Sequence, residues 1–246
     1  MPYFEQLNIL FIHVPKTGGS SVEKYFEKKI NKKLSKELLY SKEEKFNGLH
    51  SYQHMTYSEI LINKELLKIN LNNETFIFAV VRNPYERIIS ELFFRKMIKK
   101  CSSPKYVEKQ IINYLKSNET YDNHKTPQYF FIIYENGMIN NNIKIIKTEN
   151  LNNDMKNIGF TDFENIEELK THRNNVDYYN YLNNNSIKII NEYYLLDFII
   201  FDYDQINIIE NFDNNKNNSN NKQKINFVIF FVMLYIVSLI LLYIFL

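Results

Sequence analysis

Leu7-Asn8-Ile9-Leu10-Phe11-Ile12-His13-Val14-Pro15-Lys16-Thr17-Gly18-Gly19-Ser20-Ser21 is the stretch on which the fold turns. An apolar run of strand character gives way to a turn with one lysine and two adjacent glycines. The helix-like stretch Val22 to Lys29 follows. Glycine lets backbone N–H groups come close to an oxyanion, a helix N-terminus adds positive potential, and a lysine adds a point charge. The sequence therefore predicts an anion cradle between a strand and a helix, built from Lys16, Thr17, Gly18, Gly19, Ser20 and Ser21.

A second strand–turn–helix unit lies further along. Thr75 to Val81 is a continuous apolar run, as suits a parallel strand buried on both faces. It ends at Arg82-Asn83-Pro84, where Asn83 can cap a helix and Pro84 fits its first position; that helix is predicted to run to about Lys99. Helices are also expected at Tyr57 to Leu67, Val107 to Lys116, Pro127 to Tyr134 and Ser186 to Leu196. A third short strand, Ile143 to Lys147, leads into a helix near Asn152. Strands alternating with helices predict an α/β fold, a P-loop-like parallel sheet flanked by helices, with ligands at the carboxyl ends of the strands.

The chain of 246 residues is long enough for one such domain, and its net charge of +2 gives no sequence-wide basic field for nucleic acid. Asn, Ile, Lys and Tyr dominate, as an A/T-rich coding bias would produce, so the scarce residues carry more of the message. Arg82 and Arg87 are two of only four arginines, and Pro15, Pro84 and Pro127 three of only five prolines. Cys101 is the single cysteine, which rules out an internal disulfide and favours a reducing compartment. Met1 to Gln6 has no basic signal-peptide n-region.

Phe227 to Leu246 is different in kind: an apolar run that, at about 1.5 Å per residue, matches the roughly 30 Å of a bilayer core. Lys216, Lys222 and Lys224 precede it, and favour a cytosolic position for everything N-terminal. The expected organisation is a catalytic domain at 1–210, an Asn/Lys-rich linker at 211–224 and a transmembrane tail anchor at 225–246. This makes the protein single-pass, with membrane lipid as a partner and no nucleic acid. Oligomeric state is open.

The cradle is not a Walker A loop, because the lysine precedes the glycines and no leading glycine exists. No strand ends in the aspartate that would hold magnesium; the Thr75–Val81 strand ends in Arg82. An anion with two separated phosphate-like ends fits this pattern better than a magnesium nucleotide. Arg82 would grip the second end through paired hydrogen bonds, with Ser90, about two turns along its helix, adding a hydroxyl.

Pro15-Lys16-Thr17-Gly18-Gly19-Ser20-Ser21 together with Val81-Arg82-Asn83-Pro84-Tyr85-Glu86-Arg87-Ile88-Ile89-Ser90 resembles the paired motifs of the sulfotransferases. More narrowly, the pair is similar to the carbohydrate branch that contains the heparan sulfate 2-O-sulfotransferases. His124-Lys125-Thr126-Pro127-Gln128, Lys147-Thr148-Glu149-Asn150-Leu151 and Tyr193-Tyr194-Leu195-Leu196-Asp197-Phe198 extend the likeness over residues 7 to 204.

The resemblance implies 3′-phosphoadenylyl sulfate (PAPS) as donor. Its 5′-phosphosulfate would lie in the first motif, and its 3′-phosphate would meet Arg82 and Ser90, with Arg173 as a second contact. It implies a carbohydrate or other hydroxyl as acceptor. His54 would be the base, with His50 close enough to substitute, and Lys16 would stabilise the leaving phosphate. His124 and Gln128, one helical turn apart, are candidate acceptor contacts, with a capping or packing role equally open. No metal is implied.

Arg87 reads as structural, paired with Glu91 at i+4, and Glu86 as a surface or structural charge. Two other functions stay open: a small-molecule kinase with an atypical phosphate loop, and a non-catalytic membrane protein that binds an anion or glycan. Gly18-Gly19 as a plain turn and Arg82 as a salt-bridge partner of Glu86 are the plainer readings of the same residues.

Overall fold

The strand β2, Ile9–Ile12, is buried along its whole length. Its alternate side chains enter different cores: Leu10 and Ile12 pack on one face of the sheet, Ile9 and Phe11 on the other. The computed structural model describes residues 2–34, 39, 51–164 and 177–208. Within them β1 (Tyr3–Phe4), β2, β3 (Phe76–Val81) and β4 (Lys144–Lys147) form one sheet in the order β1-β2-β3-β4. β1 runs antiparallel to β2, whereas β2, β3 and β4 are parallel, with Ile12 opposite Ala79 and Val81 opposite Lys147. The expected parallel sheet is present, with the short antiparallel edge β1 as an addition.

β3 divides its side chains in the same way. Ala79 and Val81 join Leu10 and Ile12, while Phe78 and Val80 join Ile9 and Phe11. On the second face lie helix α1 (Gly19–Lys29), through Val22 and Phe26, and helix α5 (Leu151–Asn157), through Leu151 and Met155. On the first face lie helix α2 (Tyr57–Ile62) and the 3-10 turn Gln128–Ile132. A third apolar cluster joins helices α3 (Pro84–Phe94), α4 (Pro104–Lys116), α6 (Asn184–Tyr193) and α7 (Leu195–Ile200) around Tyr85, Ile88, Leu92, Ile111, Ile190 and Phe198.

Local chemistry sets the helix starts. Asn83 accepts from the Tyr85 amide and Pro84 takes the first position of α3. Ser103 and Pro104 do the same for α4, which begins three residues before the expected Val107. Thr56 and Glu59 form a reciprocal capping box on α2. Helix ends are less legible. α3 stops at Phe94 rather than near Lys99, because the chain turns left-handed at Lys96 (φ 59°). α2 ends at Ile62, and the segment after Pro127 closes as a 3-10 turn.

The chain divides into a unit spanning Met1–Ile208 and a second, Ile209–Leu246. The linker and the anchor expected at 211–246 lie outside the described residues, as do His50 and Arg173. Among the described residues no helix is long and apolar enough to cross a membrane.

Candidate active site

The cradle forms where β2 meets α1. Lys16 and Gly18 both adopt positive φ, 68° and 91°, so the chain reverses sharply over four residues. Gly18 caps α1 without a side-chain bond, and the first turn of the helix holds no acidic residue. The Ser21 N–H bonds the Gly18 carbonyl at 3.0 Å, which leaves the N–H groups ahead of it, and the positive end of the helix, to favour an anion. Lys16, Gly18 and Ser20 reach the surface of the turn, whereas Thr17 is fully buried and donates its hydroxyl to the Val14 carbonyl at 2.8 Å. Ser21 is also buried, so of the predicted hydroxyls only Ser20 faces outward.

Gly19 has a second duty. A Cβ at this position would overlap the ring of His13. That ring cannot yield easily: its Nδ1 lies 2.7 Å from Glu23 Oε1, and Gln53 Nε2 donates to both Glu23 oxygens at 2.9 Å. Gly19→Ala is therefore expected to lower the thermal midpoint by an amount equivalent to about 1–3 kcal/mol, the usual range for overpacking. An unchanged melting curve would show that the ring moves aside freely.

Arg82 stands on the same edge of the sheet. Its Nη1 is 3.5 Å from the Lys16 carbonyl, so the two motifs adjoin. Gln128 fixes its main chain, accepting from the Arg82 amide at 2.9 Å and donating to the Arg82 carbonyl at 2.8 Å. The Gln128 amide in turn donates to Asp197 of α7 at 2.9 Å. Gln128 is fully buried with its side-chain amide committed, which favours the packing reading over the acceptor contact: it braces the arginine.

The guanidinium holds the Glu86 carboxylate at 3.0 and 3.3 Å, so the plainer ion pair does form. It also shows that this position grips an oxyanion through two nitrogens. Ser90 is buried two turns along α3. The Thr148 hydroxyl, just past β4, lies 2.6 Å from the Thr17 carbonyl and 3.0 Å from that of Val81, and so ties both loops to the end of β4.

Three histidines meet beside the cradle. The His54 ring packs edge-on to His13 (centroids 5.2 Å apart) and to His124 (4.8 Å). Each ring has a carboxylate at Nδ1: Glu23 for His13 at 2.7 Å, Asp122 for His54 at 2.8 Å and Glu91 for His124 at 2.7 Å. Asp122 was invisible in the sequence. It sits in a run of three left-handed residues, Tyr121, Asp122 and Asn123, with φ of 53°, 59° and 66°. It accepts from the Ser51 amide, the Ser51 hydroxyl and His54 at 2.5, 2.9 and 2.8 Å. Asn123 adds a bond to the His54 carbonyl at 2.9 Å.

These contacts decide protonation. Burial alone would raise Asp122, but the bond and charge of His54 and the two Ser51 donors outweigh it and hold the carboxyl well below its usual range. Burial pushes His54 down, and His13 and His124 add to this against the opposing pull of Asp122, leaving it at about 4. His124 is likewise lowered by burial, with Arg95 and Lys16 adding to the effect against Glu91. At neutral pH the His54 ring is uncharged with its proton on Nδ1 toward Asp122, so Nε2 is an acceptor.

Donor atoms of His54, Asp122 and His124 lie within 4.8 Å of one another, a grouping that can hold a metal ion. The His54–Asp122 member of that group is already a hydrogen bond at 2.8 Å, which a metal at Nδ1 would have to break. Cavities of about 340 Å³ beside Tyr25, Lys29 and Asp162 and about 500 Å³ beside Leu61, Ile62 and Tyr134 lie elsewhere and share no residue with this cluster.

Lys16 completes the group: its Nζ is 4.1 Å from the Phe94 ring centre, and that ring stacks on His124. Arg87, expected to pair with Glu91, does not. It donates to the carbonyls of Pro15, His124 and Thr126 at 3.0, 2.9 and 3.0 Å, while Glu91 takes His124 and Arg95. Glu91 does make an i+4 pair, but with Arg95 rather than Arg87, and its second oxygen takes His124.

Residues 3–138, more than half of the 246-residue chain, match the sulfotransferase family model. The chain belongs to the sulfotransferase family. The matched stretch holds the cradle, Arg82, His54, Asp122, His124 and Gln128, so the features assembled by the fold are those of the family's own segment. No curated protein and no solved structure matches the chain. Membership makes the protein a transferase of sulfuryl groups in the general sense.

Proposed function

We propose that this sulfotransferase moves a sulfuryl group from PAPS to a hydroxyl of a carbohydrate, in the manner of the heparan sulfate 2-O branch. The observation that carries the proposal is the meeting of the two motifs at one sheet edge, where Arg82 Nη1 reaches the Lys16 carbonyl, beside a histidine cluster in which His54 is neutral with its Nδ1 fixed on Asp122. The residues suit a donor with two acidic ends. The acid-free, uncapped start of α1 suits one, and the guanidinium that already binds a carboxylate suits the other.

PAPS, when bound, supplies an activated sulfuryl group and a phosphate leaving group. His54 Nε2 takes the proton of the acceptor hydroxyl, and its ring is held in place by the Asp122 bond as charge builds. Lys16 and the α1 N-terminus stabilise the negative charge that develops on the departing phosphate. His124, whose ring abuts that of His54, is assigned to a second acceptor hydroxyl. A C-terminal anchor at 225–246, with the catalytic side toward the cytosol, belongs to the same proposal.

Incubation with labelled PAPS and, separately, with labelled ATP, each beside mixed glycan acceptors, tests it; transfer from ATP alone would replace it with a kinase. Lys16→Ala and Arg82→Ala are each expected to weaken binding of adenosine 3′,5′-bisphosphate about tenfold to a hundredfold by calorimetry, as for loss of a charge-assisted bond. Equal affinity in wild type and both variants would mean that the nucleotide does not bind here.

A further inference from the structure

Phe94 ends α3 54% exposed and is not part of the apolar cluster that Ile88, Ile89 and Leu92 enter. A single exposed aromatic is ordinary on a protein surface. This one touches two members of the site. Its ring is nearly parallel to that of His124 (16°, centroids 5.7 Å apart), and the Lys16 ammonium lies over it, 4.1 Å from its centre. His124 in turn abuts the base, His54, at 4.8 Å. The cation that is to serve the donor is thus lodged on an apolar surface beside the residue that is to serve the acceptor.

Resting on the sulfuryl-transfer reading, we propose that Phe94 is the platform on which the ring of a cyclic sugar acceptor stacks, and that Lys16 covers this platform until the donor binds. The face of an aromatic ring is negative and apolar. It attracts an ammonium, and for the same reason it attracts the C–H-rich face of a pyranose. The two compete for one surface. An anionic donor in the cradle offers Lys16 a charge-assisted partner stronger than the ring, and draws the ammonium off. The uncovered ring then supports a sugar whose hydroxyls point toward His124 and His54. Two properties follow: the donor binds first, and cyclic acceptors are preferred to open-chain polyols.

The test compares transfer from PAPS to methyl glycosides of hexopyranoses and hexuronic acids with transfer to open-chain alditols, using the full chain. In Phe94→Leu the ratio of kcat/KM for pyranosides over alditols is expected to fall about fivefold to tenfold, the worth of one ring contact; in Phe94→Tyr it should stay near the wild-type ratio. Since the chain has no tryptophan, Phe94→Trp introduces a single indole. Its emission is expected to change on adding adenosine 3′,5′-bisphosphate, and to respond to a pyranoside only afterwards.

An unchanged ratio in Phe94→Leu, or an indole that senses pyranosides without nucleotide, would overturn the proposal. If the wild-type protein transfers nothing from PAPS, the catalytic reading fails with it. If the wild type transfers and Phe94→Leu keeps its selectivity, this inference fails alone.

Discussion

Replacing Asp122 by Asn is expected to lower kcat for sulfuryl transfer about a hundredfold to ten-thousandfold, the range for a general base that loses its orientation or tautomer. The argument is one of donors. Three N–H or O–H groups, two from Ser51 and one from His54, converge on two carboxylate oxygens. Asn offers one oxygen and an N–H2 group, so at least one donor meets another donor, and the ring turns or changes tautomer. Asn tolerates the left-handed backbone of position 122, so the fold should persist. Nucleotide affinity should persist with it; a variant that turns over at the wild-type rate would remove Asp122 from the mechanism.

The pH dependence is part of the same expectation. His54 works as a base only when neutral, and its pKa of about 4 in the free protein extends the plateau of kcat/KM well below the ordinary histidine value of 6.5. The anionic donor raises that pKa, so kcat should begin to fall at a higher pH than kcat/KM. Stability follows the same group. Because the folded pKa lies below the unfolded one, the unfolded chain takes up the extra proton as pH falls from about 6.5 to 4, and His54 costs up to about 3 kcal/mol across that window. Asp122, held low, acts only at lower pH: its contribution is lost as pH falls below the ordinary carboxylate range.

Arg87→Met should be the most destabilising substitution, by about 3–5 kcal/mol, since it leaves three buried carbonyls without donors at roughly 1–3 kcal/mol each. Arg87, 3% exposed, closes three carbonyls from two separate loops: Pro15 before the cradle, and His124 and Thr126 beside the base. Met fills the space but satisfies none of them. Among the described residues the Arg87 Nη1 has no hydrogen-bond partner, so its Nε and Nη2 carry all three bonds. Denaturant unfolding gives the difference directly. A loss under about 1 kcal/mol would mean that water replaces the guanidinium, and that the loops do not depend on it.

What the sequence disclosed was whatever short-range chemistry decides. The apolar runs at 9–12 and 76–81, the Asn83-Pro84 start of α3 and the glycine turn after β2 each follow from neighbours within a few residues. The site residues that were misread depend on partners far along the chain. Asp122 meets His54 across 68 positions, through three left-handed residues that no composition or periodicity marks. Gln128 looked available because its burial, and its grip on Arg82 46 positions away, are consequences of packing. Arg87 and Glu91 had the right spacing for a pair, and tertiary contacts gave each a better partner.

The Thr148 hydroxyl and the Asp197 carboxylate both lie beyond residue 138, where the family match ends, yet one joins the loops after β2 and β3 and the other holds the glutamine that immobilises Arg82. Evolutionary signal and mechanical necessity therefore have different borders in this protein. A fragment trimmed to the recognisable stretch would keep Lys16, His54, Arg82 and Asp122, but would lose β4 from the sheet margin and Asp197, the prop behind the glutamine that holds Arg82.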